Sequence, residues 1–301
     1  MQEFDLSRFK KSPIYRVLGH DFEPFPVGGS EPVKHVIGRG DIKENDTLLV
    51  ICRGGERLAF LMYQMTYHHV AQGTLAGEPF MISYCAICHA GTGFVPVIKG
   101  REYHFHCAGV YNGSAILQDR ETQSFWNPVT GECMHGPLKG ERMEMLLLGQ
   151  MTAGQALERW PDLRLALSKQ PAWRKYILLP FMNFVGRFGI YPPTFKSTMP
   201  KRDPRFPDMT SGVGIMADGL KKFYPIEELE KSGGEVTDVL NHRPFIISVD
   251  EDGFPDVWYE DAEGPDDVPP YVYTRWYAFS LTFPDCKVFE PRSEGETEAA
   301  S

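Results

Sequence analysis

Tyr84-Cys85-Ala86-Ile87-Cys88-His89 is the segment in which residue type and spacing point most directly to chemistry. Two thiols three positions apart at a chain reversal can converge on one soft metal ion, exchange with a disulfide, or, with His89 following, match a C-x-x-C-H haem-attachment motif. A thioredoxin-like pair sits at a helix N-terminus, where the dipole lowers a thiol pKa. Here an apolar run precedes Cys85, and Ala90-Gly91-Thr92-Gly93 after it carries no helix signal. Haem attachment needs an exported chain and a helix presenting His89, so haem is not expected. A knuckle at a strand end fits both flanks best and is read as a metal site. The remaining alternative is a pair of buried thiols without chemistry.

A closed zinc site wants two further ligands, and there is no second C-x-x-C. His68 and His69 lie 17 and 16 positions before Cys85, His104, His106 and Cys107 follow the pair, and Cys133 and His135 come later. His68 falls between a helical segment and the strand that leads to the cysteines. The expected site is therefore mononuclear, with Cys85, Cys88 and His68 as ligands and an open fourth position, suited to zinc or copper(I) and accessible to a small molecule. His104 and His106 share a strand face that Cys107 does not. Either they approach the metal or they form the polar outer face of a half-exposed strand. Asp119, Arg120 and Trp126 are placed near a pocket, or else in a loop ion pair and a core. The rival functions are a dithiol oxidoreductase and a binding module with a purely structural metal.

The elements that must position these residues read as α+β with β leading. Leu58–Leu61 followed by Val70–Ser83, and Lys222–Pro225 followed by Val236–Ser248, form an internal repeat of small strand-helix-strand units, each closing on Pro-Phe-x-Ile-Ser. Phe80 and Phe245 occupy matching places in it. The first copy runs into the cysteines and the second into the polar turn Asp250–Gly253. Phe94 to Ile98, Glu102 to Cys107, Ala115 to Gln118 and Ser124 to Trp126 are β-prone runs at spacings of about ten residues, which predicts an antiparallel meander. Thr152 to Ser168 has helical spacing with Thr152 as N-cap, split by Pro161 into two short peripheral helices.

These elements divide the chain into an arm (1–45), a first repeat with the meander (46–150), a helical connection (151–205), a second repeat (206–290) and a polar tail (291–301) expected to be disordered. The 301 residues, 42% of them hydrophobic, suffice for a sizeable core without disulfide staples. Six cysteines in a chain of this size are read as reduced thiols or ligands. With early acidic residues and no apolar leader near Met1, the expected location is cytoplasmic. Trp173 to Ile190, interrupted by Pro180, Asn183 and Arg187, reads as a core helix pair, so no transmembrane segment is expected. A net charge of −9 and an isoelectric point near 5.5 exclude a general nucleic-acid surface, and Lys201, Arg202 and Arg205 read as a solvated loop. The oligomeric state leaves no mark in the sequence.

Gly77-x-Pro79-Phe80-x-Ile82-Ser83-Tyr84-Cys85-x-x-Cys88, Phe105-x-x-x-Gly109, Ser114, Asp119-Arg120-x-Thr122-x-Ser124-x-Trp126, Thr130-Gly131-Glu132 and Gly136-Pro137-Leu138-Lys139-Gly140 together resemble an uncharacterised bacterial family, domain of unknown function 3179. The resemblance spans Leu48 to Leu163 and extends through the second repeat. It implies that Cys85 and Cys88 are the family's pair and adds no reaction. Of the family's His-Glu-x-x-Asn-Asp segment only the histidine is kept, as His68.

Overall fold

Strand Glu78–Cys85 shows how the first part of the chain is built. Met81 points into a cluster with Val70, Phe94, Phe105, Leu117 and Trp126, while Phe80, Ile82 and Tyr84 point into another with Leu49, Ile51, Leu58 and Phe60. Alternate side chains of one strand are thus buried on opposite faces, so its sheet is the middle of three layers and its sequence is a continuous apolar run. The computed structural model describes residues 4–11, 22–168, 193–264 and 267–291. They form two compact units divided between Arg202 and Asp203.

In the first unit the middle sheet has the order Glu144–Leu146, Ala90–Val95, Glu78–Cys85, Val70–Leu75, Phe25–Pro26. One flanking sheet runs Lys10–Lys11, Phe105–Tyr111, Ser114–Asp119, Phe125–Trp126, Cys133–His135. The other runs Leu148–Thr152, Thr47–Arg53, Glu56–Leu61, Arg164–Ala166, Ser30–Pro32. Its outer face, with Leu48, Val50, Ala59 and Leu61, is covered by helices Val33–Gly38 and Ala153–Arg159. At the bulge between Cys107 and Gly109 the arm strand Lys10–Lys11 comes so close that a Cβ on Gly109 would lie 2.3 Å from the Lys10 carbonyl oxygen. Only glycine admits that approach.

The second unit has a four-stranded sheet, Tyr271–Arg275, Ser211–Ala217, Leu220–Pro225, Lys287–Val288, and a three-stranded one, Glu235–Leu240, Arg243–Val249, Pro255–Tyr259. Each unit contains a hairpin, a short helix and a three-strand meander in the same order. Phe80 and Phe245 are both fully buried in their meanders.

The α+β expectation is overturned. Among the described residues strands account for 45% and helices for 15%, and the large sheets are small meandering blades of the β-propeller kind, three in the first unit and two in the second. They are not one antiparallel meander with peripheral helices, because each of three sheets takes in a parallel strand: Phe25–Pro26 and Lys287–Val288 at an edge, and Arg164–Ala166 between Glu56–Leu61 and the edge strand Ser30–Pro32. The second helix expected after Pro161 is one of these strands. Leu165 faces the helix-covered core and Ala166 the opposite one, an alternation of period two. Thr152 does cap the first helix, in a reciprocal capping box with Gln155. The segment Trp173 to Ile190 and the tail after Pro291 lie outside the described residues. No helix among the described residues is long and apolar enough to cross a membrane.

Candidate functional site

Cys85 ends its strand, Ala86–His89 form the turn, and Ala90, paired with Cys85, begins the return strand. His89 closes the turn with a φ of 55°, a left-handed conformation a non-glycine residue holds only where the surroundings fix it. Here Tyr84 meets its ring edge-on with centroids 6.1 Å apart, and Gln150 Nε2 lies 3.5 Å from its Nε2. Both thiols are reduced and buried, Cys88 completely and Cys85 with 4% of its surface accessible.

Their electrostatics diverge. The Cys88 thiol hydrogen-bonds the Cys85 sulfur and, with backbone N–H groups that include Ala115, holds the Cys85 thiol down at about 7 against the opposing effect of burial. Burial first, and then the neighbouring Cys85 sulfur, push Cys88 well above its ordinary value. Ser114, from the adjacent sheet, hydrogen-bonds the Cys88 sulfur. No helix dipole takes part: the turn leads into a strand, and the low thiol comes from its partner thiol and the backbone. Sequence reasoning tied thiolate stabilisation to a helix, which is not the cause here. It also gave Ser114 and Ala115 no role, although Asn112-Gly113 is a strong hairpin-turn signal that fixes where they lie.

His68 is placed elsewhere. It ends helix Met62–His68, its Nδ1 donates to the Glu23 carbonyl oxygen at 2.5 Å, and its ring stacks on Phe25 with centroids 5.3 Å apart. Phe25–Pro26 is the edge strand beyond Val70–Leu75, on the side of the sheet away from Glu78–Cys85. His68 there lines a cleft of about 750 Å³ together with Pro24, Phe25, Tyr67, Leu167 and Ser168. Among the described residues no three His, Cys, Asp or Glu side chains gather as a group able to hold a metal ion, the set His68, Cys85 and Cys88 included.

His104 is exposed and its ring meets Glu121 at 2.7 Å. His106 lies on the partly exposed face of its strand, while Phe105 and Cys107 take the buried face. Asp119 and Trp126 are brought together, but inside the protein. The carboxylate of Asp119, wholly buried, accepts from Trp126 Nε1 at 2.8 Å, from the Ser124 N–H at 3.1 Å and from the Thr122 N–H. That is a turn-closing network in which every contact is structural.

A family model described as a protein of unknown function, DUF3179, matches residues 32–263. The chain belongs to this family. The DUF3179 match takes in all the strands of the middle sheet except the short edge Phe25–Pro26, and it includes the Cys85–Cys88 turn and the hairpin that carries Ser114. No curated protein and no solved structure matches the chain.

Proposed function

We propose that this DUF3179 protein is a dithiol oxidoreductase in which Cys85 and Cys88 cycle between two thiols and a disulfide. The observation that carries the reading is a pair of free, buried cysteines at one tight turn, with the Cys85 thiol held down at about 7 by its hydrogen bonds and the Cys88 thiol pushed up by burial. The Cys85 thiolate attacks one sulfur of a disulfide substrate, forming a mixed disulfide and expelling the other sulfur as a thiolate, which takes up a proton. Cys88 then loses its proton and attacks the Cys85 sulfur. The Cys85–Cys88 bond forms, the second substrate thiol leaves, and two electrons and two protons have passed to the substrate. A dithiol reductant resets the pair by the reverse exchange.

The test is equilibration in thiol redox buffers, with the disulfide mapped by mass spectrometry. The expected result is a single two-electron transition that links Cys85 to Cys88, and a trapped mixed disulfide on Cys85 in Cys88→Ala. A pair that stays reduced in strongly oxidising buffer overturns the proposal.

A second reading uses the same two sulfurs as ligands of a soft ion, copper(I) or zinc, with exogenous ligands completing the shell. The Cys85 thiolate supports it, since a soft metal is held by thiolate. Elemental analysis separates the two: about one metal per chain, absent from the double serine variant, favours the ion. The repeated hairpin-helix-meander order supports an internal duplication in which the first copy alone carries cysteines in the turn that follows Pro-Phe-x-Ile-Ser. A reducing, cytoplasmic setting is part of the same proposal.

A further inference from the structure

Residues 23–31 carry the chain from the edge of one sheet of the first unit to the edge of another. Phe25–Pro26 pairs with Val70–Leu75 at the end of the middle sheet, and Ser30–Pro32 pairs with Arg164–Ala166 at the end of the helix-covered one. The cleft of about 750 Å³ lies along this crossing, with Tyr67 and His68 from the end of helix Met62–His68 in its wall. A space of this size suits a small molecule.

The chemistry of the wall is one-sided. Glu23 and Glu31 line the cleft, and among the described residues no lysine or arginine does. Glu31 is paired with Arg39, whereas no described residue pairs with the Glu23 carboxylate. The nearby cations are already engaged, Arg39 by Glu31 and Asp41 and Arg164 by Ser30. Backbone donors are scarce as well: Pro24 and Pro26 have no N–H, and the Val27 N–H bonds the Gln72 carbonyl oxygen at 3.0 Å. His68 gives its Nδ1 hydrogen to the Glu23 carbonyl oxygen, so Nε2 of the neutral ring is an acceptor. The Ser168 hydroxyl oxygen is buried and has no hydrogen-bond partner among the described residues. Phe25, stacked on His68, and Tyr67, edge-on to it with centroids 5.1 Å apart, add aromatic area. A wall of carboxylates, an imidazole acceptor and aromatic rings draws in a cation and turns an anion away.

We infer that this cleft is a binding site for a small organic ammonium ion carried on an apolar or aromatic body. The ammonium group meets the Glu23 carboxylate, with Glu31 adding negative charge beside it, and the body lies against the aromatic wall. The site is separate from the dithiol and does not depend on its chemistry.

The experiment is isothermal titration calorimetry of the full chain at physiological salt with three probes that share one body. Tyramine carries an ammonium group, tyrosol a neutral hydroxyl and hydroxyphenylacetate a carboxylate. Tyramine should bind roughly tenfold tighter than tyrosol, the difference one charge-assisted hydrogen bond makes, and hydroxyphenylacetate should bind weakest. Glu23→Gln keeps the shape and the backbone carbonyl that holds His68, and should weaken tyramine several-fold. Adding Glu31→Gln should bring tyramine down to the level of tyrosol. Asp218→Asn removes an exposed carboxylate of the second unit and should change nothing. Hydrogen exchange should show tyramine protecting residues 23–31.

Tyramine that binds no tighter than tyrosol overturns the inference, and so does tyramine binding that survives both glutamine substitutions. If Asp218→Asn weakens tyramine as much as Glu23→Gln, the attraction is the diffuse field of an acidic chain and the cleft is not its site.

Discussion

Replacing Cys88 by alanine should return the Cys85 thiol to its ordinary range. Cys85 is held at about 7 against an ordinary 9.0, and the largest cause is the hydrogen bond from Cys88. The displacement corresponds to roughly 3 kcal/mol of preference for the thiolate. Without the donor, only backbone N–H groups such as those of Ala115 and Ile87 oppose burial, and the thiol rises toward its ordinary value. At pH 7 about half of the Cys85 thiols are ionised in the parent, and only about one in a hundred in a variant at 9. The rarer thiolate is also the stronger nucleophile. With a Brønsted coefficient of about 0.4–0.5 it gains roughly six- to tenfold in intrinsic reactivity. The net expectation is alkylation by iodoacetamide roughly five- to eightfold slower at pH 7, a crossing of the two profiles, and a faster variant at high pH. Peptide-resolved mass spectrometry follows Cys85 apart from the other cysteines. A Cys88→Ala protein whose Cys85 still ionises near 7 refutes the account, because the thiolate would then owe nothing to its partner.

Three further outcomes follow from other parts of the molecule. His69 is buried against Phe22, with ring centroids 4.0 Å apart, and burial holds its pKa at about 4 against 6.5. The unfolded chain therefore binds a proton between those values that the folded one does not, and stability falls by up to roughly 3 kcal/mol as pH drops from 6.5 to 4. Denaturant unfolding of His69→Asn should show a shallower loss across that window, and an unchanged slope would acquit the histidine. Asp119→Ala leaves the Trp126, Ser124 and Thr122 donors without their acceptor, at a cost of about 3 kcal/mol or more, read as a lowered unfolding midpoint. Gly109→Ala drives a methyl group into the Lys10 carbonyl, and should speed proteolysis of the arm Phe4–Lys11 while the middle sheet keeps its protection from hydrogen exchange.

Where a signal was local, the sequence was readable. Phe80 to Cys85 is apolar at every position but Ser83, and such a run is a strand covered on both sides. Thr152 with Gln155 announces a capped helix, and Asn112-Gly113 a tight hairpin. What stayed hidden depends on the pairing of distant segments. Arg164–Ala166 is three residues long, too short for alternation to outweigh the helical spacing of the leucines around it. Its strand character comes from docking parallel to Glu56–Leu61, more than a hundred positions earlier. The α+β reading failed there, because a helix was extended over residues that a sheet takes up between two of its strands.

The site divides in the same way. Cys85 and Cys88 were visible from their spacing, while the contacts of His68 were decided by the direction of its ring. His68 does lie close to the cysteine strand in the backbone, since the carbonyl of the next residue, His69, accepts the Tyr84 N–H at 2.9 Å, but its ring turns to the Glu23 carbonyl and Phe25. The positions that do reach the sulfurs come from a hairpin in another sheet, which no spacing rule connects to a C-x-x-C turn. The second unit offers the comparison. Its strand Arg243–Val249 also ends in a turn, but there the Asp250 carboxylate accepts the N–H groups of Asp252 and Phe254 and, with backbone bonds between Asp250 and Phe254 and between Gly253 and Asp250, closes the reversal. A turn of this kind can thus be closed without thiols. The first unit closes its own with two buried sulfurs, so replacing both by serine tests the proposed chemistry at a turn whose counterpart does without thiols.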